Sequence, residues 1–168
     1  MTAEKRRAWI SLGANLGDPK AALVAALQEV ARIPGVFSVR ASRFYDTSPV
    51  DSSGPDYVNA AAVLETTLTP EALLGELQRI ELAHGRVRPA GVHNAPRTLD
   101  LDLLAFEGET RATRALTLPH PRMEERLFVL VPLLELEPGW RSPEGVAGGD
   151  LVEAVRRRDP GQRIRLLG

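Results

Sequence analysis

The chain has 168 residues, of which 43% are hydrophobic and 26% are charged, with a formal net charge of -1. This composition is that of one globular domain, residues 1–168, and the small net charge excludes a general attraction to nucleic acid or anionic membranes. Cysteine is absent, which excludes disulfides and thiolate metal sites, and the longest uncharged apolar run, residues 127–134, is too short to span a bilayer. We therefore expect a soluble cytoplasmic protein.

The hydrophobic periodicity predicts six elements in the first two thirds of the chain, with Asp18 and Thr69 as helix caps placed before prolines. They are a strand at 7–13, a helix at 19–32, strands at 36–47 and 56–66, a helix at 68–83 and a strand at 95–106. This order is that of the ferredoxin-like β-α-β-β-α-β core, an α+β fold with a mostly antiparallel sheet and helices on one face. A hairpin at about 104–118, a helix from about residue 122 and a short helix at about 150–157 are expected to cover part of the other face.

The last strand of the core carries two aspartates, Asp100 and Asp102, in the middle of an apolar pattern. Residues two apart in a strand point to the same side, so the alternating leucines 99, 101 and 103 face the core while both carboxylates face away from it. Paired carboxylates on a rigid strand suit Mg²⁺, whose coordination is completed by water and polyphosphate oxygens. A solvated polar face of an antiparallel strand is the alternative interpretation.

Arginines are frequent in the sequence around this pair, and their guanidinium groups suit phosphate oxygens. They are Arg86, Arg88, Arg97, Arg122 and Arg126. Two loops, residues 85–96 and the segment "SPVDSSGP" at 48–55, have the length and composition of loops that close over a site. The basic segment at 156–165 is remote in sequence and is expected to be solvated.

A flat heterocycle would suit the strand segment "PDYVNAA", where Tyr57 and Asn59 share one face and offer an aromatic plane and an amide. An ordinary amphipathic strand is the alternative. The segment "SLGANLGD" lacks the Gly-Lys-Ser/Thr of a P-loop, and its Gly13 and Asn15 are consistent with a simple turn. His120, between two prolines, is either structural or a phosphate contact.

Taken together, "SLGANLGD", "FYDTSPV", "PDYVNAA", "QRIELAHGRVR", "PRTLDLDLL" and "LPHPRMEERLFVLVPLLEL" resemble, in order and spacing, the 6-hydroxymethyl-7,8-dihydropterin pyrophosphokinases of folate biosynthesis. The resemblance covers about residues 9–137. It implies transfer of pyrophosphate from ATP to the pterin hydroxymethyl group with release of AMP, and two Mg²⁺ ions between the aspartates and the triphosphate.

The same resemblance implies a role for individual residues. Asp100 and Asp102 would hold the metals and act in catalysis with Arg86 and Arg97. The ATP side would comprise Gln78, Glu81, Arg86, Arg88, Arg97, Leu103, Thr117, His120 and Arg126. The pterin side would comprise Gly13, Asn15, Thr47, Pro49, Val50, Tyr57, Asn59, Asp100 and Phe128.

The chain departs from the family pattern at two places. Many members have a tryptophan and a glycine just before the Pro-Arg pair, where this chain has Asn94 and Ala95 next to His93. An arginine often found five residues before the histidine is Ala115 here, with Arg114 beside it as a candidate substitute.

Two other classes share this order of strands and helices. An RNA-binding module would stack bases on sheet aromatics and carry a basic surface, whereas only 5% of this chain is aromatic. A regulatory domain would bind a small molecule without turnover, and clustered arginines beside paired carboxylates argue against it. We expect small-molecule substrates, no nucleic-acid or membrane partner, and a monomer.

Overall fold

The computed structural model describes residues 4–48, 56–85 and 99–167. The strands are β1 (Arg6–Ala14), β2 (Val36–Ala41), β3 (Tyr45–Thr47), β4 (Tyr57–Thr66), β5 (Asp100–Phe106), β6 (Arg111–Ala112), β7 (Thr117–Leu118) and β8 (Ile164–Leu166). The helices are α1 (Pro19–Ala31), α2 (Pro70–Ala83), α3 (Leu127–Leu136) and α4 (Gly148–Arg158), and a 3₁₀ turn, Met123–Glu125, precedes α3. Across these three ranges, none of the helices combines the length and apolar character that crossing a bilayer requires.

The main sheet has the strand order β5-β1-β4-β3-β8, with β2 also paired to β4, and every pairing is antiparallel. Strands β6 and β7 form a separate small sheet. The strand and helix order β1-α1-β2/β3-β4-α2-β5 confirms the predicted ferredoxin-like core.

Helices α1 and α2 cover one face of the sheet, which we call the first face. Ile10 and Leu12 of β1 are fully buried there together with Leu23 of α1 and Leu77 of α2. Both predicted helix caps are confirmed, because the carboxylate of residue 18 accepts the N–H of residue 21 and the hydroxyl of residue 69 accepts the N–H of residue 72. The second helix starts at Pro70, two residues later than predicted.

The opposite, second face is covered over part of its area by α3, which packs across β4. Leu104 of β5 is buried there against Met123, Val129 and Leu133, with Trp9 packed beside them. Asp100 and Asp102 lie on this same face, toward the start of β5, and are half-buried. The second face therefore changes from an apolar end covered by α3 to a polar end where the two carboxylates are partly exposed.

The strand predicted at 36–47 is divided into β2 and β3. The chain advances four residues, from Ala41 to Tyr45, while β4 advances three, from Ala62 to Asn59. Ser42 lies in the bulge, and its hydroxyl accepts the N–H of Ala61 at 2.9 Å. One extra residue thus changes the direction of the chain between β2 and β3, and the serine hydroxyl replaces a main-chain carbonyl as the acceptor.

The C-terminal third differs from the prediction in three details. The hairpin is shorter than expected, with two-residue strands β6 and β7, because residues 104–106 belong to β5. The helix expected from about residue 122 starts as a 3₁₀ turn before α3. Residues 156–158 are exposed as predicted, but the basic segment also contains β8, which pairs with β3 and is too short for its periodicity to show in the sequence.

Candidate active site

The paired aspartates are held by the sheet at neighbouring positions. Asp100 stands opposite Gly13 and Asp102 stands opposite Ser11 in the β5–β1 ladder. The leucines at 99, 101 and 103 are buried on the first face, at most 4% exposed, as the alternation predicted. The fold therefore presents two half-buried carboxylates side by side on a rigid strand.

The donor set at this position suits a hard divalent cation. Two aspartates supply oxygen ligands, and among the described residues there is no cluster of three or more histidine, cysteine or acidic side chains that could hold a metal. A carboxylate pair leaves most coordination positions to water and phosphate oxygens, which is how proteins usually hold Mg²⁺. The residues present therefore fit this ion.

A row of residues crosses the second face from the aspartates toward β3. Asp100 is opposite Gly13, Gly13 is opposite Asn59, and Asn59 is opposite Tyr45. A Cβ atom on Gly13 would lie 2.5 Å from Nδ2 of Asn59, so any larger residue here requires the Asn59 side chain to shift. Gly13 lies within β1, so its interpretation as a turn residue is wrong, and the turn comes after Ala14.

The carboxamide of Asn59 is fixed by the protein. Its Oδ1 accepts the hydroxyl of Thr47, and its Nδ2 donates to the carbonyl of Leu12 at 3.3 Å. Thr47 and Tyr57 stand opposite each other in the β3–β4 ladder. Tyr57 and Asn59 share the second face, as predicted, and with Gly13 they make up the surface beside Asp100, in which Gly13 and Asn59 are buried and Tyr57 is half-buried.

Helix α3 is fastened to this surface by a contact that the sequence analysis missed. The hydroxyl of Tyr45 donates to Oε1 of Glu135, which lies 90 residues further along the chain. Burial, reinforced by Glu135, raises the pKa of Tyr45 to about 12.

Phe128, near the start of α3, is half-buried and packs against the apolar part of the second face. Asn15, which follows β1, is buried.

The outer edge of β5 lies beside α2. Glu81 is 4% exposed, and its Oε2 accepts the N–H of Leu101 at 2.8 Å. The main-chain groups of Leu101 therefore point out of the sheet edge, and those of Leu103, two residues further on, point the same way. The Leu103 side chain is buried in the first-face core, so its main chain is what the edge presents. Gln78, three residues before Glu81, is exposed.

His120 is half-buried next to β5, where its main-chain N–H donates to the carbonyl of Leu104 at 2.8 Å. Burial, together with the positive charges of Arg126 and Arg122, lowers the pKa of His120 to about 4, against the opposing effect of the Asp100 carboxylate. Its Nδ1 accepts the N–H of Arg122 at 3.2 Å. The imidazole is therefore neutral at pH 7 with its proton on Nε2, which makes Nε2 a hydrogen-bond donor.

Two further ATP-side residues flank His120 in sequence. Thr117 is exposed in β7. Arg126 is the single residue between the 3₁₀ turn and α3, a position we call the α3 joint, and its guanidinium stacks on the Phe128 ring at 5.4 Å. Arg114 and Ala115 are exposed in the turn between β6 and β7. Arg126, predicted on the ATP side, thus contacts Phe128, which is predicted on the pterin side.

Several predicted site residues lie outside the described part of the chain. They are Arg86, Arg88 and Arg97 on the ATP side, Pro49 and Val50 on the pterin side, and the departing residues His93, Asn94 and Ala95. Their assignments stay predictions, as do the proposed roles of the loops at 48–55 and 85–96.

Comparison with known proteins finds a family model and relatives that match most of the chain. The family model for 7,8-dihydro-6-hydroxymethylpterin-pyrophosphokinase matches residues 9–138. The chain is 42% identical over 156 residues to the 2-amino-4-hydroxy-6-hydroxymethyldihydropteridine pyrophosphokinase of Methylorubrum extorquens, covering 92% of this chain and 94% of the relative. It is 45% identical over 147 residues to the protein of the same name from Haemophilus influenzae, covering 87% and 91%.

Solved structures give the same fold. Wild-type HPPK-DHPS of Plasmodium falciparum superposes with a TM-score of 0.67 at 12% identity, covering 94% of this chain and 42% of that chain. An HPPK-DHPS in complex with substrates gives a TM-score of 0.71 at 12% identity, covering 94% and 44%. This chain thus spans less than half of these longer chains, and at this identity the likeness shows the fold alone.

The family match over most of the chain, the relatives above 40% identity and the fold point to one conclusion. The chain belongs to the 7,8-dihydro-6-hydroxymethylpterin-pyrophosphokinase family, the pyrophosphokinases of folate biosynthesis.

Proposed function

We propose that this protein transfers the terminal pyrophosphoryl group of ATP to the hydroxymethyl group of 6-hydroxymethyl-7,8-dihydropterin. The hydroxyl oxygen of the pterin forms a bond to the β-phosphorus, the bond from the β-phosphorus to the oxygen bridging to the α-phosphorus breaks, AMP leaves, and the hydroxyl proton is released. The products are AMP and the pterin diphosphate.

The position of Asp100 carries this proposal. On one side it stands opposite Gly13, next to the surface formed with Asn59 and Tyr57. On the other side it acts on the pKa of His120, which lies by the edge of β5. A pterin on this surface and a nucleotide at the edge would therefore meet at the carboxylates.

This surface suits one planar heterocycle. Asn59 is held rigidly by Thr47 and Leu12, so its amide is oriented before a ligand arrives. Phe128 offers an aromatic face from α3, and Tyr57 a second one from β4. Pro49 and Val50 of the following loop would complete the pterin pocket.

The nucleotide edge suits a polyphosphate. The neutral imidazole of His120 donates from Nε2, and Arg126 supplies positive charge. Glu81 holds the edge of β5 so that the main chain of Leu103 can face an adenine. Gln78, Thr117, Arg86, Arg88 and Arg97 would contribute further nucleotide contacts.

Asp100 and Asp102 would hold Mg²⁺, which supplies neutralisation of phosphate charge and a fixed geometry for the triphosphate. Two ions are expected. Attack by a primary alcohol on phosphorus needs mainly alignment and charge neutralisation, which arginines and carboxylate-held ions provide without a strong general base. The enzyme would act as a single-domain monomer in the cytoplasm.

The direct test is to incubate the protein with ATP, Mg²⁺ and 6-hydroxymethyl-7,8-dihydropterin and to identify the nucleotide released. AMP in a 1:1 ratio to pterin diphosphate supports the proposal. ADP, or no nucleotide product, refutes it. Omitting Mg²⁺ or adding a chelator should abolish release of AMP.

Two controls sharpen this test. 6-Methyl-7,8-dihydropterin has no hydroxyl group and should give no AMP, which excludes simple hydrolysis of ATP. Asp100→Ala and Asp102→Ala should each lose turnover while keeping the wild-type circular dichroism spectrum, because both side chains are half-buried on the second face rather than in the core. Near-normal turnover in either variant would refute the metal assignment.

A further inference from the structure

Helix α3 begins in an unusual way. The residue before it, Arg126, is extended, with φ -125° and ψ 113°, and provides no side-chain hydrogen bond to the helix N-terminus. The carboxamide of Gln162, 35 residues further along the chain, takes that place, since its Oε1 accepts the N–H of Leu127 at 2.9 Å. Its Nε2 donates to the carbonyl of Glu125 at 2.9 Å. One side chain therefore holds the main-chain groups on both sides of Arg126.

The segment that carries Gln162 is itself anchored. Nε2 of Gln162 also donates to the carboxylate of Asp159 at 3.1 Å. The next residue, Arg163, donates its N–H to the Ser48 hydroxyl at 2.9 Å and accepts the Ser48 N–H at 3.0 Å. Strand β8 then continues the main sheet beside β3. The carboxamide thus rests on a fixed part of the fold, although it lies beyond residue 138, where the family match ends.

The residue held in this way faces the proposed site. Arg126 stacks on Phe128 at 5.4 Å, and its charge acts on His120. The Arg126 carbonyl is held by the first turn of α3, since it accepts the N–H groups of Val129 at 3.1 Å and Leu130 at 3.0 Å. The two hydrogen bonds from Gln162 fix the carbonyl before Arg126 and the N–H after it. Together these contacts set the direction in which the Arg126 side chain leaves the main chain.

We propose that Gln162 is a positioning residue that orients Arg126 toward the triphosphate of ATP. This inference rests on the proposed function, because it takes Arg126 to be a nucleotide contact. Gln162 touches neither substrate, and its effect passes through the main chain at residues 125 and 127.

The test is a double-mutant cycle read by calorimetric titration of α,β-methylene-ATP with Mg²⁺, an analogue that cannot release AMP. Gln162→Met keeps the side-chain length but makes neither hydrogen bond, and affinity should fall about 5- to 30-fold, the value of one to two net hydrogen bonds. Gln162→Glu keeps an acceptor for the Leu127 N–H but places a carboxylate oxygen against the Glu125 carbonyl and the Asp159 carboxylate, so it should lose at least as much. In an Arg126→Ala background, Gln162→Met should have no further effect.

Arg165→Ala is the matched control, since it removes an exposed ion pair to Asp46 from the same segment without touching the α3 joint. It should leave nucleotide affinity unchanged. Equal losses for Gln162→Met with and without Arg126, or unchanged affinity in Gln162→Met or Arg126→Ala, would overturn the inference. If the wild-type enzyme releases AMP, the proposed function stands despite such a result, whereas a wild-type enzyme that releases none refutes the function itself.

Discussion

Gly13→Ala tests whether the row of residues beside Asp100 is built as described. The added Cβ would lie 2.5 Å from Nδ2 of Asn59 and 3.7 Å from Cδ2 of Tyr57, while ordinary contacts begin at 3.4 Å. Asn59 would have to move by about 1 Å, and its bonds to Thr47 and Leu12 would be lost or lengthened. Two net hydrogen bonds and the overpacking together predict a loss of about 2–4 kcal/mol in the free energy of unfolding.

The assay has two parts. Urea denaturation measures the loss of stability, and calorimetric titration measures affinity for 6-hydroxymethyl-7,8-dihydropterin, which should fall at least about 10-fold because the amide is displaced. Gly75→Ala in α2 is the matched control, since its Cβ would meet nothing within 4 Å on an exposed helix surface. That substitution should raise stability by about 0.5–1 kcal/mol. Wild-type stability and pterin affinity in Gly13→Ala would refute the assignment.

Three further predictions concern the supports of the site. Tyr45→Phe removes the hydrogen bond to Glu135 and should lower the free energy of unfolding by about 2 kcal/mol in urea denaturation. Glu81→Ala leaves the Leu101 N–H without its acceptor and should cost about 2–3 kcal/mol, whereas Glu81→Gln should recover over half of the loss. Between pH 6.5 and about pH 4 the unfolded chain binds a proton at His120 that the folded chain does not, so stability should fall as pH drops through this window. Compared with His120→Asn, the wild type should lose about 1 kcal/mol more between pH 7 and pH 5, a value reduced for the screening of a half-buried imidazole. Equal losses in both proteins would contradict the burial of a neutral imidazole.

Local sequence patterns predicted much of the framework. The alternation of leucine and aspartate in β5 identified both faces of that strand, because side-chain direction follows directly from strand geometry. Asp18 and Thr69 marked the helix starts for a similar reason, since a cap acts within its own turn. Features of this kind depend on few neighbouring residues and are therefore visible in the sequence.

Features that depend on distant contacts were missed. The role of Gly13 depends on Asn59 across the β1–β4 ladder, and nothing near Gly13 in the sequence shows how close that amide lies. Gln162 stood in a segment expected to be solvated, and its contact with the α3 joint joins residues 35 positions apart. Leu103 was expected on the ATP side by resemblance, but only the pairing of Leu101 with Glu81 shows that its main chain, and not its side chain, faces the edge.

The proposed activity depends most on the two aspartates acting together on Mg²⁺ and the triphosphate. The most direct measurement is a crystal structure with α,β-methylene-ATP, Mg²⁺ and 6-hydroxymethyl-7,8-dihydropterin bound. We expect carboxylate oxygens of Asp100 and Asp102 at about 2.0–2.1 Å from Mg²⁺, with the pterin over Asn59 and its hydroxyl aimed at the β-phosphorus. A nucleotide bound elsewhere, with both carboxylates in contact only with solvent, would contradict the proposed activity.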